Sequence, residues 1–307
     1  MKDIGKSRLI VCGIVRDAEH GLRTNIPVID ALCRKFGDWK VVVFENDSKD
    51  ATKSILREWA ATSSGHVHAI CSDADIGCTI PKSSEVTVNP FFSRRRIEKM
   101  CRLRNQYLEY LEKQGWDADY LIVADLDVAS ISLDGILSSF DSAHEWDSVT
   151  AFGYSTSPRL KRRYHDTYAL TKWGEDAVPQ TEEMTIRYAD ELGNLKPSHD
   201  WIRVYSAFGG LAIYRFEAIK GLRYSVLDNA DPMVEVRSEH VGLYKAMIEC
   251  GFDRIFINPA MRIHYQRVTL AIAWRSLCRK IDKLFNNRRL ASWGNKNGAP
   301  SKARYNS

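Results

Sequence analysis

Short apolar runs alternate with amphipathic segments through the first 130 residues of this chain. Ser7 to Ile14, Trp39 to Phe44, His66 to Ile70 and Tyr120 to Ala124 are short and rich in apolar, often β-branched residues, so each reads as a buried strand. Between the first two, Leu22, Ile26, Ile29, Leu32, Cys33 and Phe36 recur at helical spacing and Gly37 closes the pattern. Ala51 to Ala61 and Arg94 to Gln114 read as further helices, and the polar stretch from Asp73 to Ser93, with Gly77, Pro81 and Pro90, as a long loop. Strand and helix in this order predict an α/β fold: a mostly parallel sheet with helices on both faces. Further on, Asp147 to Phe152, Ala207 to Tyr214, Arg254 to Asn258 and Arg262 to Tyr265 are expected as strands, and Glu239 to Cys250 as a helix. The segment Tyr154 to Tyr205, with several tyrosines, Trp173 and Trp201, is expected to be irregular and to serve an acceptor. Leu270 to Phe285 carries an apolar stripe opposite Arg275, Arg279 and Lys283, the pattern of a basic amphipathic helix.

In open parallel sheets ligands bind beyond the carboxyl ends of the strands. Glu45, Asp47, Asp125 and Asp127 all follow strands, so they are expected to meet on one rim. Two carboxylates two residues apart just past a buried strand present their oxygens to whatever binds there. Such oxygens suit Mg2+ or Mn2+ bridging a diphosphate. Sugar transfer from a nucleoside diphosphate needs that cation, because the leaving group gains negative charge. An Asp-x-Asp triplet is common in itself; the Leu121-Ile-Val-Ala124 run ahead of it is what singles this one out. His66 and His68 share a strand face with no carboxylate after them and read as structural.

The stretches Phe44 to Thr52, Arg102 to Asn105, Leu121 to Asp127, Asp166 to Leu170, Ala207 to Tyr214 and Glu239-His240 stand in an order that resembles the GT-A glycosyltransferases. More narrowly they are similar to the fungal capsule-type α-1,3-mannosyltransferase family and its bacterial and viral relatives. The resemblance implies a GT-A-type, Rossmann-like domain over residues 1–265, with a nucleotide-binding half to about residue 130 and an acceptor half from 131, followed by the basic tail 266–307. It implies a GDP- or UDP-linked sugar donor, a divalent cation, and a glycan or lipid-linked glycan acceptor. Asp127 would be the main metal ligand, with Asp125 beside the ribose or the metal. Glu45 and Asp47 would sit by the nucleoside, although Glu45 to Ser48 also reads as a turn capping the next helix. Arg16, Arg102, Arg104 and Asn105 would belong to the donor site, where a guanidinium grips diphosphate with two hydrogen bonds. His264 would complete the metal shell. Glu239 would act on the acceptor hydroxyl as base, and Asp166 would touch the donor sugar.

Composition narrows the alternatives. The chain has 307 residues and no run of about 18 apolar ones, so no spanning helix is expected, and its first residues lack the pattern of a signal peptide. Seven cysteines, odd in number and without a Cys-x-x-Cys pair, argue for buried, inert thiols in a reducing, cytoplasmic setting. From Met261 onward eleven Lys and Arg face the single Asp282, a net +10 within a total of +5, which leaves −5 for everything before it. An acidic body excludes nucleic-acid binding as the leading reading, whereas the tail suits either peripheral contact with an anionic membrane face or a helix that packs its apolar stripe on the domain. A sugar-nucleotide nucleotidyltransferase would need a Gly-rich loop after the first strand, and Cys12 to Asp17 holds one Gly. A non-catalytic glycan-binding protein would have no need of clustered strand-end acids.

Overall fold

The first four apolar runs become four parallel strands: β1 (Arg8–Val15), β2 (Asp38–Asn46), β3 (Val67–Ser72) and β4 (Tyr120–Ala124), in spatial order β3-β2-β1-β4. The helices between them are α1 (Glu19–Cys33), α2 (Thr52–Thr62) and α3 (Arg94–Gln114). The computed structural model describes residues 3–73, 79–156 and 161–265. Residues 1–155 and 162–266 form one compact unit. The expected amphipathic helix Leu270 to Phe285 lies outside the described residues.

Strand alternation places two cores on opposite faces of the sheet. Leu9 and Val11 of β1 pack with Leu22, Ile29 and Leu32 of α1 and Leu56 of α2. Ile10 and Cys12, one residue out of phase, pack with Ile97, Cys101 and Leu108 of α3. Helices therefore cover both faces, as the alternating pattern predicts. α3 begins at Ser93, whose hydroxyl accepts the Arg96 N–H, and ends at Gly115 in the left-handed region.

The second half departs from the expectations. A short strand β5 (Ser130–Ile131) and helix α4 (Leu133–Asp141) follow β4, and then comes β6 (Ser148–Thr156). The stretch expected to be irregular holds β7 (Arg162–Tyr164), β8 (Thr171–Lys172), α5 (Glu182–Leu192) and β9 (Ile202–Ser206). Ala207 to Tyr214 is not one strand: Gly209 and Gly210 take φ of 63° and 89°, so the chain turns there and β10 starts at Leu211 (Leu211–Arg215). A Cβ on Gly209 would meet the Ala151 carbonyl oxygen at 2.2 Å, so the close approach also requires glycine. After α6 (Phe216–Ile219), β11 (Asp228–Asp231), β12 (Val234–Val236) and α7 (Glu239–Glu249), the two short strands expected near the end are one: β13 (Ile255–His264), bulged between Asn258 and Arg262. β10 enters antiparallel between β4 and β6, and β13 runs parallel to β6, so the sheet is mixed but largely parallel.

Among the described residues no helix is long and apolar enough to cross a membrane. Their five cysteines are free; burial pushes the thiols of Cys12, Cys33 and Cys101 far up, while Cys250 is exposed.

Candidate active site

At the carboxyl end of β4 the chain leaves the sheet through Asp125-Leu126-Asp127, and α1 holds that turn from behind. Asn25, fully buried, donates its amide N–H to the carbonyls of Leu126 at 3.1 Å and Val128 at 2.8 Å. Gly21 lies so close that a Cβ there would stand 2.5 Å from the Asp127 Cα. In front, the Asp125 N–H donates to the Gly210 carbonyl at 2.9 Å, tying the turn to the Gly209-Gly210 bend. The two acids line a cavity of about 670 Å3 that also receives Arg16 from the end of β1, Arg104 from α3, Asp166 and Glu239.

Charge in the cavity is organised around Arg104. Its guanidinium, 5% exposed, donates to Glu239 Oε1 at 3.0 Å, stands 3.5 Å from Asp125 Oδ1 and lies over the Phe208 ring at 4.8 Å. Burial alone would raise the Glu239 carboxyl; with His240 neutral, Arg104 and the more distant Arg96 oppose that and keep it below the usual carboxylate range. The neighbouring His240 adds no charge at neutral pH, because burial and Arg104 hold its imidazole at about 3. One guanidinium cannot neutralise every acid beside it. Burial, aided by Asp127 and Glu239 against Arg104, pushes Asp125 up, although Tyr265 donates its hydroxyl to Asp125 Oδ2 at 3.3 Å. Asp127 stands at the open mouth of the site, and the protein around it still raises its carboxyl. Asp166, at φ 64°, accepts the Gly209 N–H at 3.2 Å and is pushed up to about 7 by burial and by Asp125.

Among the described residues no three His, Cys, Asp or Glu side chains gather as a metal-ligating group. Mg2+-type sites, however, commonly use one or two carboxylates and complete the shell with substrate phosphate and water. Asp125 and Asp127, hard oxygen donors held above the usual carboxylate range in an acid-rich cavity, fit a divalent cation shared in that way.

Of the residues singled out in the sequence, Arg16, Arg104, Asp125, Asp127, Asp166 and Glu239 line the cavity. The others stand elsewhere. Arg102 is on the exposed side of α3. Asn105 exchanges two hydrogen bonds with the Tyr224 backbone, at 3.0 and 2.8 Å, and so pins the loop after α6. Glu45 is buried and accepts the Ser48 N–H at 2.7 Å, and Asp47 sits at φ 55°; both shape the turn that leads into α2. Asn46 between them does reach the cavity. The His264 ring stacks on Tyr154 at 4.7 Å and is not among the residues that line the cavity. Its neighbour Tyr265 faces Asp125 instead: β13 pairs through His264, and adjacent residues of an extended chain point to opposite sides. Trp173 packs under the Arg203 guanidinium at 3.7 Å and Trp201 on His144 at 4.9 Å, so neither lines the cavity, whereas Tyr164, His165 and Tyr168 do. His66 and His68 pack on Trp39 and Trp116 as structural residues. Gly21, Asn25 and Tyr265 carry no mark in the sequence strong enough to single them out. For Tyr265 strand parity was an available signal; for Gly21 and Asn25 there was none.

The model of the family described as cryptococcal mannosyltransferase 1 matches residues 8–242, the span that carries nearly all of this cavity. The chain belongs to that family. It is by family a glycosyltransferase, and its mixed, largely parallel sheet with helices on both faces is the α/β plan the sequence led us to expect. No curated protein matches it significantly. Similar solved structures include the mannosyltransferase PcManGT from Pyrobaculum calidifontis in complex with GDP-Man and Mn2+, at 14% identity over 88% of this chain and 60% of that one, with a TM-score of 0.47. GalNAc-T7 with UDP, GalNAc and Mn2+ is 13% identical over 85% of this chain and 44% of its own, with a TM-score of 0.45. S. aureus TarS 1-349 is 12% identical over 84% and 60%, with a TM-score of 0.43. This chain thus spans less than two thirds of each.

Proposed function

We propose that this family member transfers a hexose, mannose first among the candidates, from a nucleoside-diphosphate donor to a hydroxyl of a glycan or lipid-linked glycan. The observation that carries the reading is the pair Asp125 and Asp127, presented from the carboxyl end of β4 into a cavity large enough for a nucleotide sugar. A divalent cation, Mn2+ or Mg2+, would be held by Asp127 and Asp125 together with the donor diphosphate, and when bound it offsets the charge that develops on the leaving nucleoside diphosphate. Arg16, half-buried at the end of β1, is placed to receive a diphosphate oxygen: it lines the cavity and pairs only loosely, at 3.6 Å, with its chain neighbour Asp17. Arg104 is engaged by Glu239 and Asp125, so its part is to orient these carboxylates rather than to grip phosphate.

The roles of Glu239 and Asp166 separate on the same grounds. A buried carboxylate bonded to a guanidinium at 3.0 Å and held below its ordinary range is a weak base, so Glu239 serves as the fixed counter-charge of Arg104. Asp166, near neutrality in the cavity wall, is suited to exchange a proton with a substrate hydroxyl.

Asp127→Asn tests the reading, because it removes the charge and keeps the volume. The variant should melt within a few degrees of the parent and lose Mn2+-dependent binding of GDP-mannose, with UDP-glucose as the second donor to try. Unchanged calorimetric affinity in the variant would show that Asp127 holds no cation.

A further inference from the structure

His240 opens α7 beside Glu239 and is 2% exposed, yet it lines the cavity. Neither ring nitrogen finds a hydrogen-bond partner among the described residues. Glu239 Oε1 is 3.6 Å from Nε2, beyond hydrogen-bond reach. The ring stacks on Phe208 at 4.1 Å with an interplanar angle of 18° and meets the Tyr224 ring edge-on at 5.5 Å. Leaving a buried polar group unsatisfied is costly, and the rotamer is held by two aromatic rings rather than by a polar bond. A side chain that is buried, oriented and unsatisfied at the wall of a cavity is matched to a ligand.

The chemistry of that ligand follows from the ring. A neutral imidazole offers one N–H donor and one lone pair, and burial beside Arg104 keeps it neutral. Diphosphate oxygens only accept, so they would leave the lone pair unmatched. A sugar hydroxyl both donates and accepts. The Glu239 carboxylate near Nε2 favours a proton on that nitrogen, which leaves the Nδ1 lone pair for a hydroxyl to donate to. Position selects which sugar. From His240 the contacts run through Glu239 to Arg104 and on to Asp125, the acid assigned to the donor diphosphate. The group next to that diphosphate is the hexose to be transferred.

We propose that His240 is a specificity-determining residue that hydrogen-bonds a hydroxyl of the donor hexose. This rests on the donor-site reading of the cavity. The test uses the full chain with Mg2+ and whichever of GDP-mannose and UDP-glucose binds it, against GDP or UDP alone. His240→Phe keeps the stack on Phe208 and deletes both nitrogens. It should bind the bare nucleotide within about twofold of the parent while losing roughly tenfold or more in affinity for the nucleotide sugar, the scale of one hydrogen bond to an uncharged group at about 1.4 kcal/mol per decade. In the parent protein, nitrogen-15 labelling of histidine should show the His240 ring resonances moving with the nucleotide sugar and unmoved by the nucleotide. That second measurement decides the matter if the variant does not fold. Unchanged sugar discrimination in His240→Phe, or ring resonances that respond equally to the bare nucleotide or only to a free acceptor sugar, overturns the proposal and leaves the donor site standing. A parent protein that binds neither nucleotide sugar overturns both.

Discussion

At the scale of single residues, the site is a problem of surplus negative charge. Arg104 meets Glu239 closely and leaves Asp125, Asp127 and Asp166 without full compensation. Burial raises Asp125 and Asp166, the protein around Asp127 raises it as well, and a cation can bind only after the proton has left. Affinity for Mn2+ with a nucleotide sugar should therefore climb as pH rises towards and through about 7, where Asp125 loses its proton, with calorimetry between pH 5 and 8 as the measure. The stability of the ligand-free protein should run the other way. Asp166 in the folded chain keeps a proton that the unfolded chain has lost, so its contribution is largest below the ordinary value of 3.8 and declines as pH rises towards about 7. Glu239, held below its ordinary value of 4.5, contributes stability above 4.5 that is lost on acidification below it. A pH series of urea midpoints that rose steadily from 5 to 8 would contradict the Asp166 assignment. Asp125 and Asp127 were legible in the sequence because they stand where an apolar run ends, whereas Asp166 and Glu239 were picked out only by the family resemblance. Which of them is neutralised was not legible, because that depends on a guanidinium 21 positions away in sequence from Asp125 and 135 from Glu239.

At the scale of elements, the Asp125-Leu126-Asp127 turn is shaped by α1 as much as by β4. Asn25 donates to the carbonyls of Leu126 and Val128, and Gly21 allows the helix to approach the turn within what a methyl group would occupy. Gly21→Ala should push the turn away from the helix. We expect a loss of about 1–3 kcal/mol in urea denaturation, the usual cost of overpacking, together with weaker Mn2+-dependent donor binding. Donor affinity equal to that of the parent would show that the turn is set by β4 alone. The helices and strands of the first half were readable because each has an unbroken period, and α3 runs from Arg94 to Gln114 as the apolar spacing predicts. In the second half the period is interrupted. Gly209 and Gly210 bend what looked like a strand, and α5 is capped by Thr181 within a stretch whose tyrosines and charges hide its helical spacing.

At the scale of the whole molecule, the described residues that line the cavity run from Ile14 to Tyr265, ahead of the basic tail. A chain ended after Arg267 should then keep the donor affinity of the full protein. If the tail binds anionic membranes, as its net +9 from residue 266 and its apolar stripe lead us to expect, the full chain should co-sediment with phosphatidylserine vesicles at low salt and the shortened one should not. Equal sedimentation of both would end that expectation. By itself the sequence determined the layered α/β plan and the rim on which Asp125 and Asp127 stand, because hydrophobic periodicity is local and the strand-end rule follows from it. Only the tertiary structure decided the rest. β10 enters against β4 in a sheet otherwise largely parallel and brings Gly209-Gly210 onto the Asp125-Leu126-Asp127 turn. The parity of β13 turns Tyr265 rather than His264 towards Asp125. α7 delivers Glu239 to Arg104 and leaves His240 unsatisfied at the cavity wall. These are contacts between residues far apart in the chain, and no local pattern encodes which face meets which.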